Sequence, residues 1–168
     1  MRWILYFILA YLILGLQVGL KGFISFQGAS PNLVILAAIF IALNAPREPA
    51  LLGTFVMGLM HDLLTDTPLG LYAFSYALVG MFVVSTQEIV YREHPLTHFS
   101  LALVGQLITS VVLLVQGLLH PPPPPIAILL LSSLYTAVLA PIVLFLLQRI
   151  RRVFAFQPAH RRIRPWKR

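Results

Sequence analysis

The sequence holds five acidic side chains and five histidines in 168 residues, and no cysteine, so the groups able to do chemistry can be weighed one by one. They come closest together between Gly53 and Gly70, where His61 and Asp62 interrupt an apolar, glycine-spaced run and Asp66 follows. Asp62 and Asp66, spaced i, i+4, share a helical face and suit Mg²⁺ held against a lipid diphosphate. That chemistry needs a second acidic cluster, and the remaining acids, Glu48, Glu88 and Glu93, fall in segments expected on the opposite side of a membrane. As a metal site or acid–base pair, His61 and Asp62 lack company, because His94, His98, His120 and His160 are expected in loops or in the C-terminal tail. No HExxH pattern, no GxSxG nucleophile turn and no glycine-rich phosphate loop is present. The missing cysteines exclude disulfides, thiolate metal sites and cysteine nucleophiles. The expectation is therefore no enzyme, no metal and no cofactor.

Composition says where such a chain resides. It is 59% hydrophobic and 10% charged, with a mean hydropathy of +0.89, against about 45–50% and about 25% in soluble domains. Long apolar runs of this kind point to helices crossing a bilayer, since roughly 20 residues cover about 30 Å of hydrocarbon. A net charge of +7 would suit nucleic acid, but eight of the twelve Lys and Arg lie in residues 149–168. In a membrane protein such a tail is a topology signal and a contact for anionic lipid headgroups. No nucleic-acid partner is expected.

The sequence predicts an all-α polytopic membrane protein: a six-helix transmembrane domain over residues 1–148 and a basic cytoplasmic tail over 149–168. The predicted spans are 4–20, 31–43, 50–64, 69–86, 99–119 and 126–147. The first is too long for a signal-peptide core and lacks a small-residue cleavage site; Trp3 and Tyr6 stand near one interface. Lys21 to Ser30 reads as a loop, with Ser30 as N-cap and Pro31 as the first residue of the second helix. That helix is short for a bilayer. Pro68 ends the third segment, since the residue before a proline is biased away from helix. Residues 87–98 form a polar loop with Glu88, Arg92 and Glu93. Pro121 to Pro125 make a stiff polyproline turn, and Pro141 is expected to kink the last helix. With six spans, Arg2, Arg47, Arg92 and the tail lie on one side and only Lys21 on the other, so both termini are expected in the cytoplasm.

Within the third helix, Ala50, Thr54, Gly58 and Asp62 recur at i, i+4 and form a small or polar stripe, with Gly53 beside it. A charged group at bilayer depth costs about 2.5–3.5 kcal/mol at mid-membrane, so Asp62 must face protein or water. The topology puts it one turn inside the extracytoplasmic face. The stripe suits close helix packing, and Gly70, Ala73, Ala77 and Gly80 form a matching stripe on the fourth helix. Gln106, Thr109, Ser110 and Gln116, with Ser132, Ser133 and Thr136, read as hydrogen-bonding contacts within a bundle.

Taken in order, Ser30-Pro31-Asn32-Leu33 opening one helix, Gly53-x4-Gly58-Leu-x2-Asp62-Leu-Leu in the next, and Pro68-Leu69-Gly70-Leu71 opening a third resemble the MreD family of bacterial rod shape-determining membrane proteins. Where that family usually has Pro-Asp, this chain has Pro31-Asn32. The resemblance implies a non-catalytic subunit of the cell-elongation machinery in the cytoplasmic (inner) membrane, helping to organise lateral peptidoglycan synthesis. It implies association with a single-span MreC-like protein and, through it, with MreB, RodA and a class B penicillin-binding protein. It also implies a fold similar to the substrate-binding subunits of energy-coupling-factor vitamin transporters, with a pocket opening outward near Asp62. Gly53, Gly58, His61, Asp62, Gly70 and Tyr72 are the candidate partner-binding or pocket residues, with Asp62 pairing to a donor such as Tyr72. The competing expectation is a vitamin- or solute-binding subunit of a transporter.

Overall fold

A computed structural model describes residues 3–25, 28–65, 67–87, 95–120 and 122–150. Asp66, the charged segment with Glu88, Arg92, Glu93 and His94, Pro121 and the basic tail beyond Ile150 lie outside the described residues, as does the side chain of Trp3. Among the described residues the helices are α1 (Trp3–Ile24), α2 (Leu33–Asn44), α3 (Arg47–Asp62), α4 (Leu71–Thr86), α5 (Pro95–Leu119) and α6 (Ile126–Ile150).

The bundle is organised around α2. All twelve of its residues are buried, and every other helix packs on it. Its sequence, Leu33-Val-Ile-Leu-Ala-Ala-Ile-Phe-Ile-Ala-Leu-Asn44, has no polar face, as befits a helix covered on every side. Twelve residues rise only about 18 Å, against about 30 Å of hydrocarbon. Among the described residues, three stretches are long and apolar enough to cross a membrane: Tyr6–Ile24, Pro95–Leu119 and Ile126–Arg149. Of the six spans expected from the sequence, α1, α5 and α6 have that length, and α2, already expected to be short, is joined by the shorter α3 and α4. The outward face of α6, with Leu130, Leu134, Val138, Ile142 and Phe145 each more than half exposed, is a lipid-facing stripe. This is an integral membrane protein.

Three helix ends differ from expectation, and with the last of them the place of His98. Helix α1 runs on to Ile24, so Lys21 sits in its last turn rather than in a loop. Helix α2 is capped by Asn32, whose side chain accepts the Ile35 N–H at 3.1 Å, not by Ser30, and begins at Leu33 after Pro31. Asn and Ser are comparable caps, but only Asn32 also reaches a cross-helix partner. Helix α5 starts four residues early, at Pro95, where a proline at the first position forfeits no hydrogen bond. His98 is consequently a buried helix residue, 3% exposed, with its Nε2 3.0 Å from Gln148 Nε2 on α6. Pro141 lies inside α6, and that helix continues past it to Ile150.

Among lipids, apolar side chains gain little by meeting one another, so close packing and hydrogen bonds must hold the helices together. The α3–α4 pair shows how. A Cβ added at Gly58 would fall 2.6 Å from Ala73 Cα, and one added at Gly80 would fall 2.9 Å from Thr54 Cβ. At Gly58 the α4 backbone presses onto α3, and at Gly80 the Thr54 side chain of α3 fills the space a side chain on α4 would need. Between α5 and α6, Ser110 and Ser133 hydroxyls meet at 3.2 Å. Pro123 and Pro124 fold back onto Gly117, where a Cβ would fall 2.8 Å from Pro123 Cα.

Candidate functional site

The α3–α4 junction brings the sequence-predicted residues together. Asp62 ends α3, 2% exposed. Its Oδ2 accepts the N–H of Gly70 and of Ala73, both at 3.0 Å, and its Oδ1 accepts the N–H of Tyr72 at 2.8 Å. One carboxylate thus satisfies three main-chain donors at the start of α4, which has no side-chain cap of its own. Negative charge at that position is favoured by the partial positive charge of a helix N-terminus. The donor expected from Tyr72 is its backbone N–H. Gly70 holds φ +98°, a left-handed conformation that glycine adopts without strain, and this bend aims its N–H at Asp62. Gly58 lies one turn before Asp62 on the same stripe and lets α4 approach. Gly53 is buried, and its carbonyl accepts the Tyr6 hydroxyl of α1 at 2.6 Å.

His61 points the other way. Its ring lies 4.3 Å from the Tyr72 ring and 5.8 Å from the Tyr76 ring, centre to centre, and its Nδ1 is 2.9 Å from the Tyr76 hydroxyl. The same hydroxyl accepts from Asn32 Nδ2 at 2.9 Å. Asn32 closes the circuit, because its backbone N–H donates to Thr136 Oγ1 on α6 at 3.0 Å. On the other flank, Gln17 of α1 clamps the same segment: its Nε2 donates to Pro31 O at 3.0 Å, and its Oε1 accepts the Leu33 N–H at 2.7 Å. Four helices, α1, α3, α4 and α6, are thereby tied to the start of α2.

Beside this hub opens a cavity of about 270 Å³. Its polar lining includes Gln17, Lys21, Asn32, His61, Tyr72 and Gln106. A second, apolar groove of about 540 Å³ runs between α1 and the end of α3. Of the candidates, His61 and Tyr72 line the cavity, whereas Gly53, Gly58, Asp62 and Gly70 build the frame behind it. Sequence reasoning missed Gln17, Tyr76 and the double role of Asn32. The signals for two of them were present: a glutamine within an apolar span, and an asparagine just before an apolar helix. Nothing local marked Tyr76. Among the described residues no group of three or more His, Asp or Glu stands where it would hold a metal ion.

Comparison with curated proteins finds no match, and comparison with solved structures finds none. The family model described as rod shape-determining protein MreD matches residues 1–155. That match spans all six helices and the junction just described, and the chain belongs to the MreD family of rod shape-determining membrane proteins.

Proposed function

We propose that this protein is a non-catalytic subunit of the cell-elongation complex in the cytoplasmic membrane, and that it holds a single-span MreC-type partner against the outer face of α3 and α4. Through that partner it would act on MreB, RodA and a class B penicillin-binding protein, and so on lateral peptidoglycan synthesis. Family membership carries the reading. Gly53 and Gly58 are buried within the molecule, so the partner meets the opposite side of the pair, where Leu52, Phe55, Leu59, Phe74 and Met81 are exposed. Asp62 acts from behind, by fixing α4 against α3 so that this face has one shape.

In this reading all six helices are embedded, the short ones shielded by the long, in an arrangement similar to energy-coupling-factor substrate-binding subunits. Both termini are cytoplasmic by the lysine and arginine distribution, and the tail rests on anionic lipid. Because the chain has no cysteine, single cysteines can map the contact directly. Phe55→Cys and Met81→Cys are expected to cross-link to the MreC-type partner, and Ile142→Cys on α6 is not. Cross-links from α6 alone would sink the assignment. The cavity favours a second reading, a solute-binding transporter subunit, which predicts a water-soluble molecule carried through purification.

A further inference from the structure

We propose that the polar cavity and the apolar groove form one binding site for a membrane lipid whose phosphate headgroup carries hydroxyl groups, as in phosphatidylglycerol. The inference does not depend on the partner reading, since it concerns the other side of α3.

Three observations converge. First, Gln106 is 5% exposed and lines the cavity, yet its Oε1 is buried without any hydrogen-bond partner. It is the one such atom among the described residues. Buried polar atoms are normally paired, and an exception needs an explanation. The amide can present either end to the cavity by a half-turn about its last torsion. With the oxygen turned to the cavity, a hydroxyl donor there would complete it.

Second, the same cavity is lined by Lys21, which has no ion-pair partner among the described residues. A cation and an unfilled acceptor together fit an anionic group bearing a donor. A choline head has no donor, and an ammonium head would be repelled by the lysine.

Third, the polar and apolar compartments are continuous. Leu14 and Val18 of α1, with Leu64 just after α3, line both. The groove continues along Tyr11, Gly15, Met60 and Leu63. At Gly15 and Gly19 nothing lies within 4 Å of where a Cβ would be, so the α1 backbone leaves a slot along its length. From Lys21 back to Tyr11 is ten residues, about 15 Å of helix, or about half the hydrocarbon thickness. The polar compartment lies where α1 ends and α2 begins, and the apolar one leads toward the middle of the bilayer. That is the polarity of a lipid in its leaflet, with the headgroup at Lys21 and Gln106 and a chain against α1.

The test is lipid retention by the purified full-length protein, with phosphatidylglycerol and phosphatidylcholine of identical chains offered in competition and counted by native mass spectrometry. Thermal unfolding is followed with and without each lipid. One retained phosphatidylglycerol per chain, preferred over phosphatidylcholine, is expected. Lys21→Gln should cost roughly the fivefold that one lysine contributes toward an anionic headgroup. Gln106→Leu should abolish headgroup discrimination while leaving the melting temperature of the lipid-free protein unchanged or higher, because it removes an unpaired polar atom. Gly19→Leu, which enters open space, should block retention and keep the fold. Equal retention of the two lipids by the parent protein would overturn the proposal. So would a water-soluble molecule in their place, or a Gln106→Leu protein that melts lower and still discriminates.

Discussion

Replacing Asp62 is the most informative perturbation, because the structure specifies different outcomes for different side chains. Asp62→Ala strips the partner from three main-chain N–H groups at once. A single lost N-cap costs about 0.5–2 kcal/mol, and hydrogen bonds to a charged group are worth about 1.5–3 kcal/mol each without adding fully. With the site 2% exposed, water cannot easily substitute, so a total of about 3–5 kcal/mol follows, or roughly 10 °C in melting temperature for a chain of this size. Asp62→Asn keeps an oxygen for Gly70 and Ala73 but turns its NH₂ toward the Tyr72 N–H, donor against donor; the reverse orientation keeps only the Tyr72 bond. It should fall between alanine and the parent. Asp62→Glu has no room, since α4 already touches α3 at Gly58. The assay is thermal unfolding in detergent together with amide hydrogen exchange at residues 70–73. Exchange there should rise sharply in Asp62→Ala before any change elsewhere. If that variant melts like the parent and its residues 70–73 stay protected, the capping account is wrong.

Two further outcomes test the packing and the hub. Gly58→Ala should cost about 3 kcal/mol, because the new methyl meets backbone, Ala73 Cα at 2.6 Å, and backbone does not yield. Gly80→Ala meets a side chain instead, so adding Thr54→Gly, which moves the methyl across the interface, should restore most of its loss in melting temperature. At the hub, Asn32→Asp should change stability by less than about 1 kcal/mol, since it still caps α2 and still accepts from the Tyr76 hydroxyl. Asn32→Leu, which removes both, should cost about 2–4 kcal/mol by thermal melt.

The sequence made the α3–α4 contact legible because both stripes obey helical periodicity. Ala50, Thr54, Gly58 and Asp62 repeat every fourth residue, and Gly80 stands opposite Thr54 in the folded pair. What Asp62 does there was not legible. Its partners are backbone groups eight to eleven residues away, and main-chain donors carry no sequence signature. The shortness of residues 31–43 was visible, but its cause was not, since only the bundle shows that five other helices take the place of lipid around α2. His98 was misplaced because charged neighbours such as Arg92 and Glu93 made the whole stretch read as loop. Tyr76 looked like one more aromatic in an apolar helix, and its role depends on Asn32, 44 positions earlier.

These contacts divide the molecule's polar groups into two sets with different consequences. The first is paired within the protein: Asp62, Asn32, Tyr76 and Gln17 spend their hydrogen bonds on main chain or on one another, and His61 Nδ1 joins them through the Tyr76 hydroxyl. Paired buried networks favour one arrangement over its competitors, because any shift leaves a donor or acceptor stranded in a medium without water. That is what a scaffold needs if α3 and α4 are to present a fixed face to a partner. The second set, Gln106 and Lys21, is left open at the edge of the first. Had the cavity been a packing defect, apolar residues would line it at no electrostatic cost, as they line the neighbouring groove. An unpaired amide and a cation beside a rigid network are what a site looks like when its last partner comes from the membrane. The paired network on the α4 side of α3 and the cavity on the α1 side meet at His61, so an occupant between α1 and α3 would bear on the helix that Asp62 ties to α4.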